Sequence, residues 1–125
     1  MKTKKIIPLP KLKEKAQSVV NKAVRERDKE LGCICFGCNG KVEHASHYFS
    51  QGQHSALRYN TDNLHGSCLA CNVYKHGNLI RYRQGLVKRY GEDYVRDLEA
   101  LEAISPKVKK WCRDELEDII LKHKT

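Results

Sequence analysis

The chain has 125 residues, a formal net charge of +9 and a pI near 9.3. That length accommodates one domain rather than two, and no apolar run is long enough to span a membrane. The excess of cations points to a polyanionic partner, nucleic acid before lipid, while 40% hydrophobic residues supply a modest core that a bound metal would strengthen.

Residues 1–10 read as a basic, extended tail punctuated by Pro8 and Pro10. Its lysines are not followed by a sustained hydrophobic stretch, so it does not read as a secretory signal. The remainder, 11–125, reads as a single domain with an organising core over 33–78. Leu12, Ala16, Val19, Val20, Ala23 and Val24 recur at helical spacing and predict a helix from about Lys11 to Glu30, ending before Gly32. Residues 1–30 hold ten Lys or Arg against four Asp or Glu. For any single cation, Arg25 and Arg27 included, a solvated helix face is the plainer reading; the concentrated surplus favours contact with backbone phosphates.

The organising stretch runs from Cys35 to Asn78. Cys35-Phe36-Gly37-Cys38 is followed after 29 residues by Cys68-Leu69-Ala70-Cys71 and then Asn72. Two Cys-x-x-Cys pairs supply four thiolates, the complement of a closed tetrahedral zinc site. Redox thiols or disulfides are the competing readings, and the paired spacing with no secretory signal favours zinc in a reducing cytoplasm. Cys33 lies one residue before Cys35 and is a rival ligand; Cys112 has no partner spacing and reads as a buried or idle thiol.

Between the pairs, His44-Ala45-Ser46-His47-Tyr48-Phe49 has the alternation of a short strand, and a polar loop containing His54 follows it. Leu57 to Gly66 leads back to the second pair, and Asn72 is placed to open a helix. A neutral imidazole near pH 7 suits activation of water, although a strand histidine more often only satisfies a hydrogen bond. Asn72 offers a neutral oxygen to a hard cation or, equally, a helix cap. His76, four residues on, shares its helix face. Asp62-Asn63 reads as turn chemistry.

Leu79, Tyr82, Leu86 and Tyr90, widened by Ile80 and Val87, define the apolar face of a helix over 78–91. Arg81 and Lys88 lie opposite, Arg83 and Arg89 flank the stripe, and no acidic residue occurs from Ala70 to Gly91. This is the second basic surface. Glu92 to Ala103 forms an acidic helix with Val95, Leu98 and Leu101 inward, facing away from nucleic acid. A last helix near Arg113 to Lys124 buries Leu116, Ile119, Ile120 and His123, with acidic residues early and lysines late as the helix dipole favours.

The order of these residues resembles the His-Asn-His (HNH, ββα-metal) nucleases framed by two cysteine pairs. The resemblance implies that His47 is the general base and that Asn63 braces the loop carrying it. It implies that Asn72, with His76 in some members, binds a catalytic divalent cation, Mg²⁺ or Mn²⁺. Many relatives place Asp or His before the base, where this chain has Ser46, so His44 or His65 is an alternative ligand. His44 would need a bulge to share a face with His47.

More of the chain, from about Lys11 onward, resembles the NinG (Rap) recombination endonucleases of lambda-like phages. The match is carried by Lys11-Leu12-Lys13-x-Lys15-Ala16-Gln17, Cys35-x-x-Cys38, His44-Ala45-x-His47-Tyr48 and Leu57-Arg58. It continues through His65-Gly66-x-Cys68-x-x-Cys71-Asn72, Gly77-Asn78-Leu79, Tyr82-Arg83-x-Gly85-Leu86, Lys88-Arg89-x-Gly91 and Asp114-Glu115-Leu116. It implies cleavage of branched DNA, Holliday junctions and D-loops, during recombination in a bacterial host, alongside host or phage recombination proteins. A four-way junction offers two symmetric strands, so a homodimer is expected. The expected architecture is α+β: an N-terminal helix, a zinc-stabilised ββα-metal (HNH, treble-clef-like) core and packed C-terminal helices. A non-catalytic zinc module that binds DNA or a recombination partner is the alternative. A thiol oxidoreductase is disfavoured by the duplicated cysteine pairs and the basic surfaces.

Overall fold

Pro10 sits in the first turn of helix α1, Leu9–Asp28, where its missing amide donor costs nothing and its fixed φ favours the helix. The computed structural model describes residues 6–75 and 78–124; the three lysines of the basic tail, Lys2, Lys4 and Lys5, and His76 therefore lie outside the described residues. Leu12, Ala16, Val20 and Val24, four residues apart, form the buried stripe of α1. They meet Leu116 and Ile120 of helix α4, Arg113–His123, together with Tyr59 and Leu64. This aliphatic cluster is the first of two cores.

Strands β1, His44–His47, and β2, Leu64–Ser67, pair antiparallel with His44 opposite Ser67, Ala45 opposite Gly66, Ser46 opposite His65 and His47 opposite Leu64. The pairing is regular, without a bulge. By strand alternation, His44, Ser46, His65 and Ser67 share one face, and Ala45, His47, Leu64 and Gly66 share the other, the face that bears Leu64 toward α1. β1 ends two residues earlier than expected, although the Tyr48 amide still donates to the Asn63 carbonyl at 2.9 Å.

From within the second cysteine pair the chain makes a single wide π-type turn, Ala70–Tyr74, rather than a sustained helix beginning at Asn72. The Lys75 amide closes it on the Ala70 carbonyl at 3.0 Å. Asn78 then adopts a left-handed conformation, φ 50°, and helix α2 starts afresh at Leu79 and runs to Tyr90. Only Tyr82, Gly85 and Leu86 of α2 are buried. Leu79 and Ile80, expected in the apolar face, are 52% and 78% exposed. The reason is where α2 makes contact. A side chain at Gly85 would place its Cβ 1.6 Å from the Ile34 carbonyl oxygen, so the helix touches the Cys33–Phe36 segment there and its first turn projects beyond the core.

Gly91, φ 98°, turns the chain into helix α3, Glu92–Ile104, whose Val95 and Leu98 are buried. The second core joins α2 and α3 to the cysteines: Cys33, Ile34, Cys35, Cys68, Cys71, Tyr82, Leu86 and Val95. The fold is thus mixed α+β, mostly helical around a small two-stranded sheet. Among the described residues no helix is long and apolar enough to cross a membrane.

Candidate metal centre and adjoining cleft

Four sulfurs, those of Cys33, Cys38, Cys68 and Cys71, lie within 4.8 Å of one another. Cys38 Sγ is 3.6 Å from Cys68 Sγ and 3.8 Å from Cys71 Sγ. A tetrahedron with ~2.3 Å zinc–sulfur bonds has edges of about 3.8 Å, so the spacing fits a zinc ion. The set includes Cys33 where the spacing of the pairs pointed to Cys35. The Cys35 carbonyl accepts the Cys38 amide at 3.1 Å and closes the turn that carries the first pair. Cys35 remains beside Cys33 and Cys71 as a fifth buried thiol.

Two donors converge on these sulfurs, the Gly40 amide on Cys38 at 3.4 Å and the Asn78 amide group on Cys71 at 3.7 Å. A Cβ at Gly40 would fall 2.7 Å from Cys68 Cβ and 3.0 Å from its sulfur, so glycine is required there by space alone. Burial pushes the Cys71 thiol up to about 12; a divalent ion must displace protons to bind, and its affinity falls as pH falls.

On the other side of the turn Ala70–Tyr74 lies a cleft of about 420 Å³ whose lining includes Gln17, Asn21, Ser46, His47, Ser50 and Asn72. None of the residues lining it is acidic. Ser46 donates from its hydroxyl to Asn72 Oδ1 at 2.9 Å and is also bonded to the Ser67 hydroxyl. Two neighbouring residues of one strand reach the cleft because β1 is a free edge of the sheet.

His47 is held by a 2.8 Å bond between Nε2 and the Arg58 carbonyl. A carbonyl only accepts, so Nε2 carries the proton and Nδ1 keeps the lone pair of a neutral ring. Burial lowers the His47 pKa from its usual value, which keeps the ring neutral at pH 7. Arg58 is itself anchored, its Nε donating to Gln17 Oε1 at 2.9 Å.

Asn63 is fully buried and uses both ends of its amide. Its Oδ1 accepts the Phe49 amide at 2.8 Å, and its Nδ2 donates to the Phe49 carbonyl at 3.0 Å and the Leu57 carbonyl at 3.4 Å. It thereby ties together both ends of the loop that follows His47.

Among the described residues the other histidines do not line the cleft. His44 shares the Ser46 face, as the regular register requires. His65 is completely buried among Tyr82, Tyr90 and Tyr94, bonded through Nε2 to the Asp62 carbonyl at 2.9 Å; burial lowers its pKa to about 4. It is a core residue, not a ligand of the cleft. His54 faces Glu102 at 3.2 Å. Cys112 is exposed at the start of α4, where its amide donates to Glu115.

Three of the arginines expected to meet DNA have partners within the chain. Arg27 grips the fully buried Asp28 through two bonds of 2.7 and 2.9 Å and donates to the carbonyls of Thr61 and Leu64. Burial works against the Asp28 carboxylate, but Arg27 and the Gly66 amide outweigh it and hold its pKa below the usual value. Arg83 reaches Glu92 and Glu99 of α3. Arg89 donates to the carbonyls of Leu31, Gly32 and Cys33. Each closes a seam between elements. Arg81 and Lys88 stay exposed and Arg25 half-buried. Gln17 and Asn21, which line the cleft, were not singled out by the sequence; their signal is a polar pair one turn apart beside the apolar stripe of α1, joined by a 2.8 Å bond.

The Protein ninG of Escherichia phage lambda is 39% identical over 88 residues, covering 70% of this chain and 43% of the relative. The Protein ninG of Salmonella phage P22 is 35% identical over 107 residues, covering 85% of this chain and 51% of the relative. The chain spans about half the length of these curated relatives. No solved structure matches. The family model described as NinG, Bacteriophage Lambda NinG protein, matches residues 1–125, and the chain belongs to that family.

Proposed function

We propose that the chain is a metal-dependent DNA endonuclease of the HNH type, acting on branched recombination intermediates such as Holliday junctions and D-loops. One observation carries this reading: His47, with Nε2 pinned to the Arg58 carbonyl and Nδ1 left as acceptor, lines the same cleft as Ser46 and Asn72. His47 Nδ1 takes the proton from the attacking water. Asn63 keeps the following loop in place, and Arg58, tied to Gln17, keeps the ring from rotating.

The oxygens of Asn72 and Ser46 converge within 2.9 Å, a neutral donor pair of the kind that suits Mg²⁺ or Mn²⁺ when phosphate supplies the negative charge. When bound, such an ion would offset charge on the phosphorane and assist the leaving oxygen. The four-cysteine group holds structural zinc in this reading, Arg25, Arg81 and Lys88 meet phosphate, and two copies act on the two strands of a junction.

The test is incubation with a labelled four-way junction and a matched linear duplex, with Mg²⁺ and with EDTA. His47→Ala is expected to retain zinc, fold and junction affinity while losing cleavage by roughly a hundredfold or more. Asn72→Ala raises the metal concentration that cleavage requires. The absence of acidic residues from the cleft lining favours one second reading, a zinc-containing module that binds DNA or a recombination partner without cutting. Tight junction binding with no cleavage in Mg²⁺ or Mn²⁺ would establish it instead.

A further inference from the structure

The knuckle tip Cys35-Phe36-Gly37-Cys38 carries an aromatic side chain that the core does not use. Phe36 is 43% exposed, yet its position is fixed, because its amide donates to the Arg81 carbonyl of α2 at 2.8 Å. Lys88 Nζ stands 5.3 Å from the ring centroid. At the neighbouring Gly37, φ 77°, a Cβ would lie 3.8 Å from Arg81 Nη1, which places that guanidinium against the bare backbone of the tip.

Two concavities, of about 370 and 430 Å³, meet at this ring. The first has Lys88 and Arg89 in its lining and the second has Lys75 and Arg81; neither is lined by an acidic residue. A half-exposed aromatic ring with Lys88 over one face, further cations beside it and no carboxylate in the lining matches one ligand chemistry closely. A base offers a flat π surface, and the phosphates on either side of it offer the charge. Duplex DNA keeps its bases stacked, so a ring at a protein surface is served only by a base already out of the stack.

We infer that Phe36, flanked by Arg81 and Lys88, is a stacking site for an unpaired base of single-stranded or branched DNA. The site adjoins the cleft through one turn of chain: Cys71 lines the concavity at Phe36, and the next residue, Asn72, lines the cleft that holds His47. A strand leaving a branch point could therefore seat a base on the knuckle while its phosphodiester lies at His47. The inference takes DNA as the substrate, as the proposed function does, and supplies that reading with a basis for preferring branched over linear DNA.

The experiment measures binding of a short labelled single-stranded oligonucleotide, the four-way junction and the linear duplex to wild type, Phe36→Ala, Phe36→Leu and Phe36→Trp, with zinc content as the control for folding. Phe36→Ala and Phe36→Leu are expected to lose about tenfold in single-strand affinity, the worth of one stacked base, with duplex affinity unchanged. Phe36→Leu keeps apolar bulk without a π face, and Phe36→Trp restores binding. Unaltered single-strand affinity in both Ala and Leu variants, with zinc retained, overturns the inference, as does an equal loss on duplex and single strand. Cleavage read in parallel separates the two claims. A wild type that cuts nothing but loses single-strand binding on Phe36→Ala refutes the nuclease and leaves the stacking site, whereas junction cleavage with unaltered binding does the reverse.

Discussion

The two cores differ in what holds them. Around α1 and α4 the buried side chains are aliphatic apart from Tyr59, and Leu12, Ala16, Val20, Val24, Leu64, Leu116 and Ile120 need only each other. Around α2 and α3, four of the eight buried residues are cysteines, groups that bury little carbon, and three of them join Cys38 in the cluster that could hold an ion. Apolar burial stabilises at any metal concentration; a thiolate cluster stabilises only when loaded. The cleft lies along the seam, with His47 on the strand face toward α1 and Asn72 next to Cys71 on the turn Ala70–Tyr74. Loss of metal should therefore displace Asn72 before it disturbs His47.

The largest test of this asymmetry is Cys71→Ser. It removes one of four ligands, and structural zinc contributes on the order of 10 kcal/mol to small domains. Zinc content should fall from about one per chain and the α2–α3 half should lose its fixed side-chain environment, read by near-ultraviolet circular dichroism. A Cys71→Ser protein that folds and holds zinc normally would refute the assignment. On the other side, Leu116→Ala should cost about 2–5 kcal/mol in urea unfolding through the cavity it leaves. Zinc stoichiometry should stay unchanged, since the aliphatic core supplies no ligand; a parallel loss of zinc would show the two halves to be one unit.

The smallest effect concerns pH. His65 has a folded pKa of about 4 against about 6.5 when unfolded. Between these values the unfolded chain binds the extra proton, so stability rises with pH across the window. The contribution is complete above about 6.5 and is lost as pH falls through about 4, a change of about 3 kcal/mol. His65→Phe should flatten the stability profile in that interval; an unchanged slope would assign it to other groups.

The periodic helices were legible because burial alone sets their faces: the spacing of Leu12, Ala16, Val20 and Val24 named the stripe of α1, and Leu116 and Ile120 that of α4. The cysteine centre was legible in kind, but the four sulfurs brought together include Cys33 in place of Cys35, since spacing counts residues while the fold decides which sulfurs meet. Charge was legible only as a total. Nothing in composition distinguishes Arg81, which faces solvent, from Arg27 and Arg89, whose carbonyl partners lie more than thirty residues away. The bracing by Asn63 followed the family resemblance, whereas the burial of His65 and Asp28 depends on long-range packing that no local pattern encodes.

Glycine shows how differently one residue type can answer to substitution. Gly40 and Gly85 have no unusual backbone angle, and a Cβ at either would overlap the cysteine cluster or the Ile34 carbonyl. In a saturation screen these two positions should be as intolerant as the cysteines, alanine included. At Gly91 there is open space, but φ is 98°, so the penalty is torsional and graded. Gly52 meets neither obstacle and should accept nearly any residue. A tolerance map of this family would thus record the close approach of α2 to the knuckle as an invariant column at a position with no chemistry of its own.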